Sequence, residues 1–157
     1  SILNVGRAHI GEAVEKVRNS FYSELAMSYR KDAGNTDVPS AAILLQRMIN
    51  AKYAGVLFTI NPVTGANETV IEATPGLADV LVSGGLTPTQ YIIRAHGGGT
   101  HQVVTQGPPI LREHVMGLYH RARSASVLLG IKPADIEWAI DQDGEINLLQ
   151  IRPVTTT

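Results

Sequence analysis

The stretch DIEWAIDQDGEINLLQIRP, residues 135–153, decides how this chain is read. Two alternating runs flank DQDG, a turn-forming tetrapeptide, and predict two antiparallel strands joined by a short loop. One natural register sets Glu137 opposite Gln150 and Asp135 opposite Arg152. Directly opposed residues share a face of the sheet. One face then carries Asp135, Glu137, Gln150 and Arg152, and the other Ile136, Trp138, Leu149 and Ile151. A slip of one residue would mix the two sets, so the patterning selects this register.

The polar face has chemical meaning. Carboxylate and amide oxygens are hard ligands that suit Mg2+, an ion that keeps waters and takes phosphate oxygens as well. A guanidinium fork suits phosphate. Together they would neutralise charge on a transferring phosphoryl group, the main demand of that chemistry. The plainer reading is a solvent-facing strand surface with an Asp–Arg ion pair, a common finish for a half-exposed antiparallel sheet. Spacing alone does not separate the two.

Upstream of the hairpin, a helix is expected over about 111–129. Val115, Leu118, Ala122, Ala125 and Leu129 mark its buried stripe, with Gly130 as the residue past its end and Pro133 beyond. A second amphipathic helix is expected over 12–31, with Val14, Val17, Phe21 and Leu25 at three- and four-residue steps. Gly34, Asn35 and Pro39 stop it. Between the helices, AAILLQRMI (41–49), YAGVLFTI (53–60) and ETVIEA (68–73) read as strands, and NPVTG (61–65) as a turn. GLADVLVSGG (76–85) has room for one or two helical turns. Residues 90–94 and 101–105 read as a hairpin around HGGGT. The order predicts an α+β fold, a largely antiparallel sheet with helices packed on one face.

Bulk properties exclude several classes. The 157 residues are 44% hydrophobic and 17% charged, an ordinary globular composition. A net charge of −1 gives no general attraction to nucleic acid or an anionic membrane. With no cysteine there is no disulfide, thiolate chemistry or cysteine-held zinc. No apolar run approaches the roughly 20 residues that cross a bilayer, and no signal-peptide pattern is visible, so a cytoplasmic location is expected. The chain starts at Ser1 rather than Met, which suggests a processed or excised piece.

The tail does not stand alone. Together with VPSAAILLQRMINAKYAGVLFTINPVTG (38–65) and VIEATPGLADVLVSGGLTPTQYII (70–93), it resembles the ATP-binding domain of phosphoenolpyruvate synthase and pyruvate phosphate dikinase. Rifampicin phosphotransferase shares that domain. SILNV and FYSELAMSYR match more loosely, and 95–112 match least. The resemblance implies an ATP-grasp domain, with ATP between two α+β subdomains and residues 1–157 as the C-terminal one. It implies Glu137 and Gln150 as Mg2+ ligands, Arg152 as a phosphate contact, and Asp135 in support. Arg152 and Glu137 are thus the catalytic candidates. LLQRM resembles the hinge that meets adenine, which implies Gln46 as a base or ribose contact and Met48 as an apolar neighbour. The alternative for Gln46 is a buried amide satisfied by backbone.

In the full enzyme, the implied reaction moves the β-phosphoryl of ATP to a histidine on a swivelling domain and then to pyruvate. The alternatives are a rifampicin-type acceptor or a non-catalytic nucleotide- or partner-binding module. The phosphate-contacting first subdomain and the phosphohistidine domain are expected as separate parts of a larger enzyme. The 157 residues alone are not expected to turn over. Glu72 faces either a ligand or, as strand alternation favours, solvent. TINPVTG reads as mainly structural. His101 in HGGGTH is not expected to be the phosphohistidine, because it lies in a glycine-rich turn inside the nucleotide domain.

Overall fold

The computed structural model describes residues 1–32, 34, 42–77, 87–95, 99 and 101–154. The chain divides into two compact units, Ser1–Met48 and Ile49–Thr157.

The first unit holds a 3-10 turn, Arg7–His9, and two helices, α1 (Ile10–Ser20) and α2 (Glu24–Asp32). The expected single helix over 12–31 is broken at residues 21–23. Serines make the break. Ser20 Oγ donates to the Val17 carbonyl at 2.7 Å and Ser23 Oγ to the Ser20 carbonyl at 2.9 Å. Ser23 Oγ then accepts from the Ala26 amide at 3.3 Å, capping α2. Neither helix buries a residue, and Leu25 of the expected apolar stripe is 83% exposed. Residues 42–50 form neither helix nor strand, unlike the strand expected over 41–49, and Ala41 lies outside the described residues. Apolar side chains favour a strand, but a strand exists only where a neighbour completes its hydrogen bonds. None of the ladders in the described sheet includes this segment.

Among the described residues, the second unit is an antiparallel sheet with one long helix. Its strands are β1 (Ala51–Phe58), β2 (Glu68–Pro75), β3 (Thr89–Ala95), β4 (His101–Gln106), β5 (Ala134–Asp141) and β6 (Ile146–Pro153). They lie in the order β4-β3-β2-β1-β5-β6, and every neighbouring pair is antiparallel. The α+β, largely antiparallel reading holds, an arrangement consistent with an ATP-grasp-like subdomain. The expected helical turns over 76–85 fall on residues mostly outside the described ones.

Helix α3 (Val115–Leu128) packs on one face of this sheet. Val115, Leu118, Tyr119, Ala122 and Ser126 are buried there against Leu57, Ile71, Tyr91, Ile93, Ile136, Trp138 and Ile140. Two positions differ from the expected stripe: Ala125 is half-buried and Leu129 is 56% exposed. The helix ends just there. Gly130 has φ +68°, its amide donates to the Val127 carbonyl, and the Ile131 amide reaches back to the Ser126 carbonyl at 3.0 Å. That is a Schellman closure, which turns Leu129 away from the sheet and brings Ile131 to the core. Ser126 is buried at no penalty because its hydroxyl donates to the Ile131 carbonyl.

Candidate functional site

The terminal hairpin has the expected register where it matters. Asp135 pairs with Arg152, Ile136 with Ile151 and Glu137 with Gln150. The register then shifts, and Trp138 pairs with Leu148 rather than with Leu149. A bulge on β6 absorbs the extra residue, so Leu148, not Leu149, joins the core with Ile146 and Ile151. The turn itself is built by Asp141. Its Oδ1 accepts from the Asp143 and Glu145 amides at 3.1 and 2.9 Å, and Gly144 takes φ +87°.

Two distant residues fix the hairpin against β1. The Ala134 amide donates to Thr59 Oγ1 at 2.8 Å, and the Thr59 amide donates to the Ala134 carbonyl at 2.9 Å. Thr59 opens TINPVTG, whose Asn61 Oδ1 caps the Val63 and Thr64 amides at 3.0 and 3.1 Å. The structural role expected for that stretch is thus visible in its bonds. Gly55 is the second anchor. A Cβ there would stand 1.8 Å from the Glu72 carbonyl oxygen and 2.9 Å from the Trp138 ring. Only glycine lets the fully buried Trp138 close over β1. Neither role was readable from the sequence, since Thr59 and Ala134 are 75 residues apart.

On this scaffold the four expected polar residues share one face. Arg152 Nε donates to Asp135 Oδ2 at 2.8 Å. Asp135 is 12% exposed and Arg152 54%, so the buried carboxylate holds the base of the guanidinium while its outer part faces solvent. Among the described residues, Asp135 Oδ1 is buried without a hydrogen-bond partner. Glu137 is half-buried and Gln150 exposed, and among the described residues neither side chain has a partner. A half-buried carboxylate with no donor is costly unless something supplies positive charge.

The donor set fits Mg2+. Glu137 and Gln150 are directly opposed, which puts their Cβ atoms about 5 Å apart. Among the described residues no group of three or more His, Asp or Glu side chains could hold a metal alone. Two protein oxygens suit an ion that completes its shell with water and phosphate.

Gln46 and Met48 lie in the first unit, in the coil before β1, and both are exposed. The buried-amide alternative for Gln46 is therefore not what is seen. Glu72 is half-buried rather than free in solvent, and Gln90 Nε2 donates to its Oε1 at 3.2 Å. His101 is half-buried, with Nε2 3.1 Å from Tyr119 Oη and the two rings edge-on at 4.8 Å.

Comparison with known proteins fixes the wider setting. Residues 1–109 match the pyruvate phosphate dikinase AMP/ATP-binding domain. The chain belongs to that family. The matched residues stop short of α3 and the terminal hairpin, but similarity to curated relatives continues through them. A probable phosphoenolpyruvate synthase of Archaeoglobus fulgidus is 32% identical over 97% of this chain and 23% of its own length. The prodigiosin synthesizing transferase PigC of Serratia marcescens is 32% identical over 92% and 19%. A rifampicin phosphotransferase of a Streptomyces species is 30% identical over 97% and 20%. The chain thus spans less than a quarter of each of these relatives. Among the described residues no helix is long and apolar enough to cross a membrane.

Proposed function

We propose that this chain forms one wall of the ATP cleft of a phosphoenolpyruvate synthase or dikinase type phosphotransferase. Glu137 and Gln150 hold Mg2+, and Arg152 holds nucleotide phosphates. The observation that carries this reading is the hairpin register. It gathers an unpartnered carboxylate, an amide oxygen and an anchored guanidinium on one face of a domain from an AMP/ATP-binding family.

Each residue has a distinct task. Asp135 fixes Arg152 through Nε, leaving the terminal nitrogens for phosphate oxygens. Glu137 supplies charge and Gln150 a neutral oxygen. Mg2+, when bound, neutralises charge on the phosphates being cleaved. Gln46 and Met48 are the base contacts. The opposing subdomain, which brings further cations, and the phosphohistidine domain belong to other parts of the protein. Residues 1–157 form the C-terminal subdomain of the ATP-grasp domain, act in the cytoplasm, and do not turn over alone.

In the full protein, the β-phosphoryl passes from ATP to a catalytic histidine and on to pyruvate. A rifampicin-type acceptor is the second reading. It is favoured by similar identities, 30–32%, to proteins named for different products and substrates.

The test is Glu137→Ala in the protein that carries this chain. ATP-dependent phosphorylation of the histidine should be lost while the circular dichroism spectrum is unchanged. Normal phosphorylation would remove Glu137 from the site. Phosphate transfer assayed with pyruvate and with rifampicin as acceptors separates the two readings.

A further inference from the structure

A single row of side chains crosses the whole sheet on the face opposite α3. Gln106 pairs with Gln90, Gln90 with Glu72, Glu72 with Val56, Val56 with Glu137, and Glu137 with Gln150. Glu72 and Glu137 therefore flank the same valine from its two sides. Their Cα atoms are two strand spacings apart, roughly 9.6 Å. Val56 is short, so both carboxyl groups reach beyond it.

Glu72 carries a partial set of bonds. Its one hydrogen-bond partner among the described residues is Gln90, at 3.2 Å, the long end of the normal range. A half-buried carboxylate has about four lone-pair sites to satisfy, and one neutral amide leaves most of them open. Gln90 orients the group without neutralising it.

We propose that Glu72 is a positioning residue of the same phosphate wall: its carboxylate takes a water in the shell of the Mg2+ held by Glu137 and Gln150. This rests on the reading given above. The span decides for a water-bridged role. Two Mg–O bonds of about 2.1 Å and one hydrogen bond of about 2.7 Å can join carboxylate oxygens up to roughly 7 Å apart. Side chains rising from Cα atoms roughly 9.6 Å apart meet that separation with a modest lean. Direct coordination by both would need oxygens within roughly 4.2 Å, a far closer approach above Val56.

The experiment is Mn2+ binding, read by electron paramagnetic resonance, to the protein carrying this chain with a non-hydrolysable ATP analogue present. Glu72→Ala and Glu72→Gln should each weaken Mn2+ about tenfold, as loss of an outer-shell partner does. The Gln variant keeps side-chain volume and an acceptor for Gln90, so it tests the charge even where Ala disturbs folding. Unchanged Mn2+ affinity in Glu72→Gln, with binding lost in Glu137→Ala, overturns this inference alone. Unchanged affinity in Glu137→Ala overturns the reading beneath it.

Discussion

Residues 49–157 and residues 1–48 are held by different forces. Every buried apolar residue described lies in the first of these stretches, from Ala54 to Ile140. Helices α1 and α2 bury none, and Leu3, Tyr22, Leu25, Tyr29, Leu44 and Leu45 of the second stretch are exposed. The sheet unit is stabilised by contacts far apart in sequence, such as Trp138 on Gly55 and Leu111 beside Tyr91. The helices rely on neighbours: Lys16–Glu12 at 2.6 Å, Arg18–Glu15 at 2.5 Å, and the Ser23 cap. Exposed pairs of that kind contribute little, and helices of this length are marginal in isolation. The metal–phosphate candidates thus sit on the stretch that carries the buried core. The base-contact candidates Gln46 and Met48 sit on the stretch in which no described residue is buried.

The largest effect tests this contrast directly. Leu57→Ala should destabilise the sheet unit by about 2–5 kcal/mol, since Leu57 is fully buried. Leu25→Ala should change stability by less than about 0.5 kcal/mol. Trp138 is the chain's single tryptophan and is fully buried, so its fluorescence in a urea titration reads the first change directly. Equal losses in the two variants would dissolve the contrast. A smaller effect sharpens it. Ser23→Ala should lower the stability of α2 by about 1 kcal/mol, seen as faster amide exchange over 24–32 with no change in β1 or β5.

The smallest effect is a pH dependence. The side-chain amide of Asn61, and then Arg94, hold the Glu68 carboxyl below its ordinary value. A depressed carboxyl stabilises the fold above its unfolded-state pKa, and that contribution fades as pH falls through the folded value. In Glu68→Gln, the thermal midpoint should fall near neutrality and converge on that of the unsubstituted protein at acid pH, which flattens the acid limb.

Legibility followed the same division. Alternation in DIEWAI and LLQIR, set against one Asp-Gly turn, was enough to place Glu137 opposite Gln150 and Asp135 opposite Arg152. The β6 bulge was not readable, because a single extra residue leaves no mark on a strand that is apolar at both Leu148 and Leu149. The strand expected at 41–49 failed for another reason: an apolar run states a propensity, and pairing is a property of two segments. Likewise Leu129 fits a helical stripe by spacing, but Gly130 ends the helix before that spacing can act.

By itself, then, the sequence determined periodicity, turns, and which polar side chains share the face of the terminal hairpin, because those depend on local geometry and side-chain chemistry. Only the tertiary structure decided that Thr59 and Gly55 clamp the hairpin, that Asp135 pins Arg152, and that Glu72 stands in one row with Glu137. Those facts depend on strand order, which brings β2, β1 and β5 side by side across a long separation in the chain.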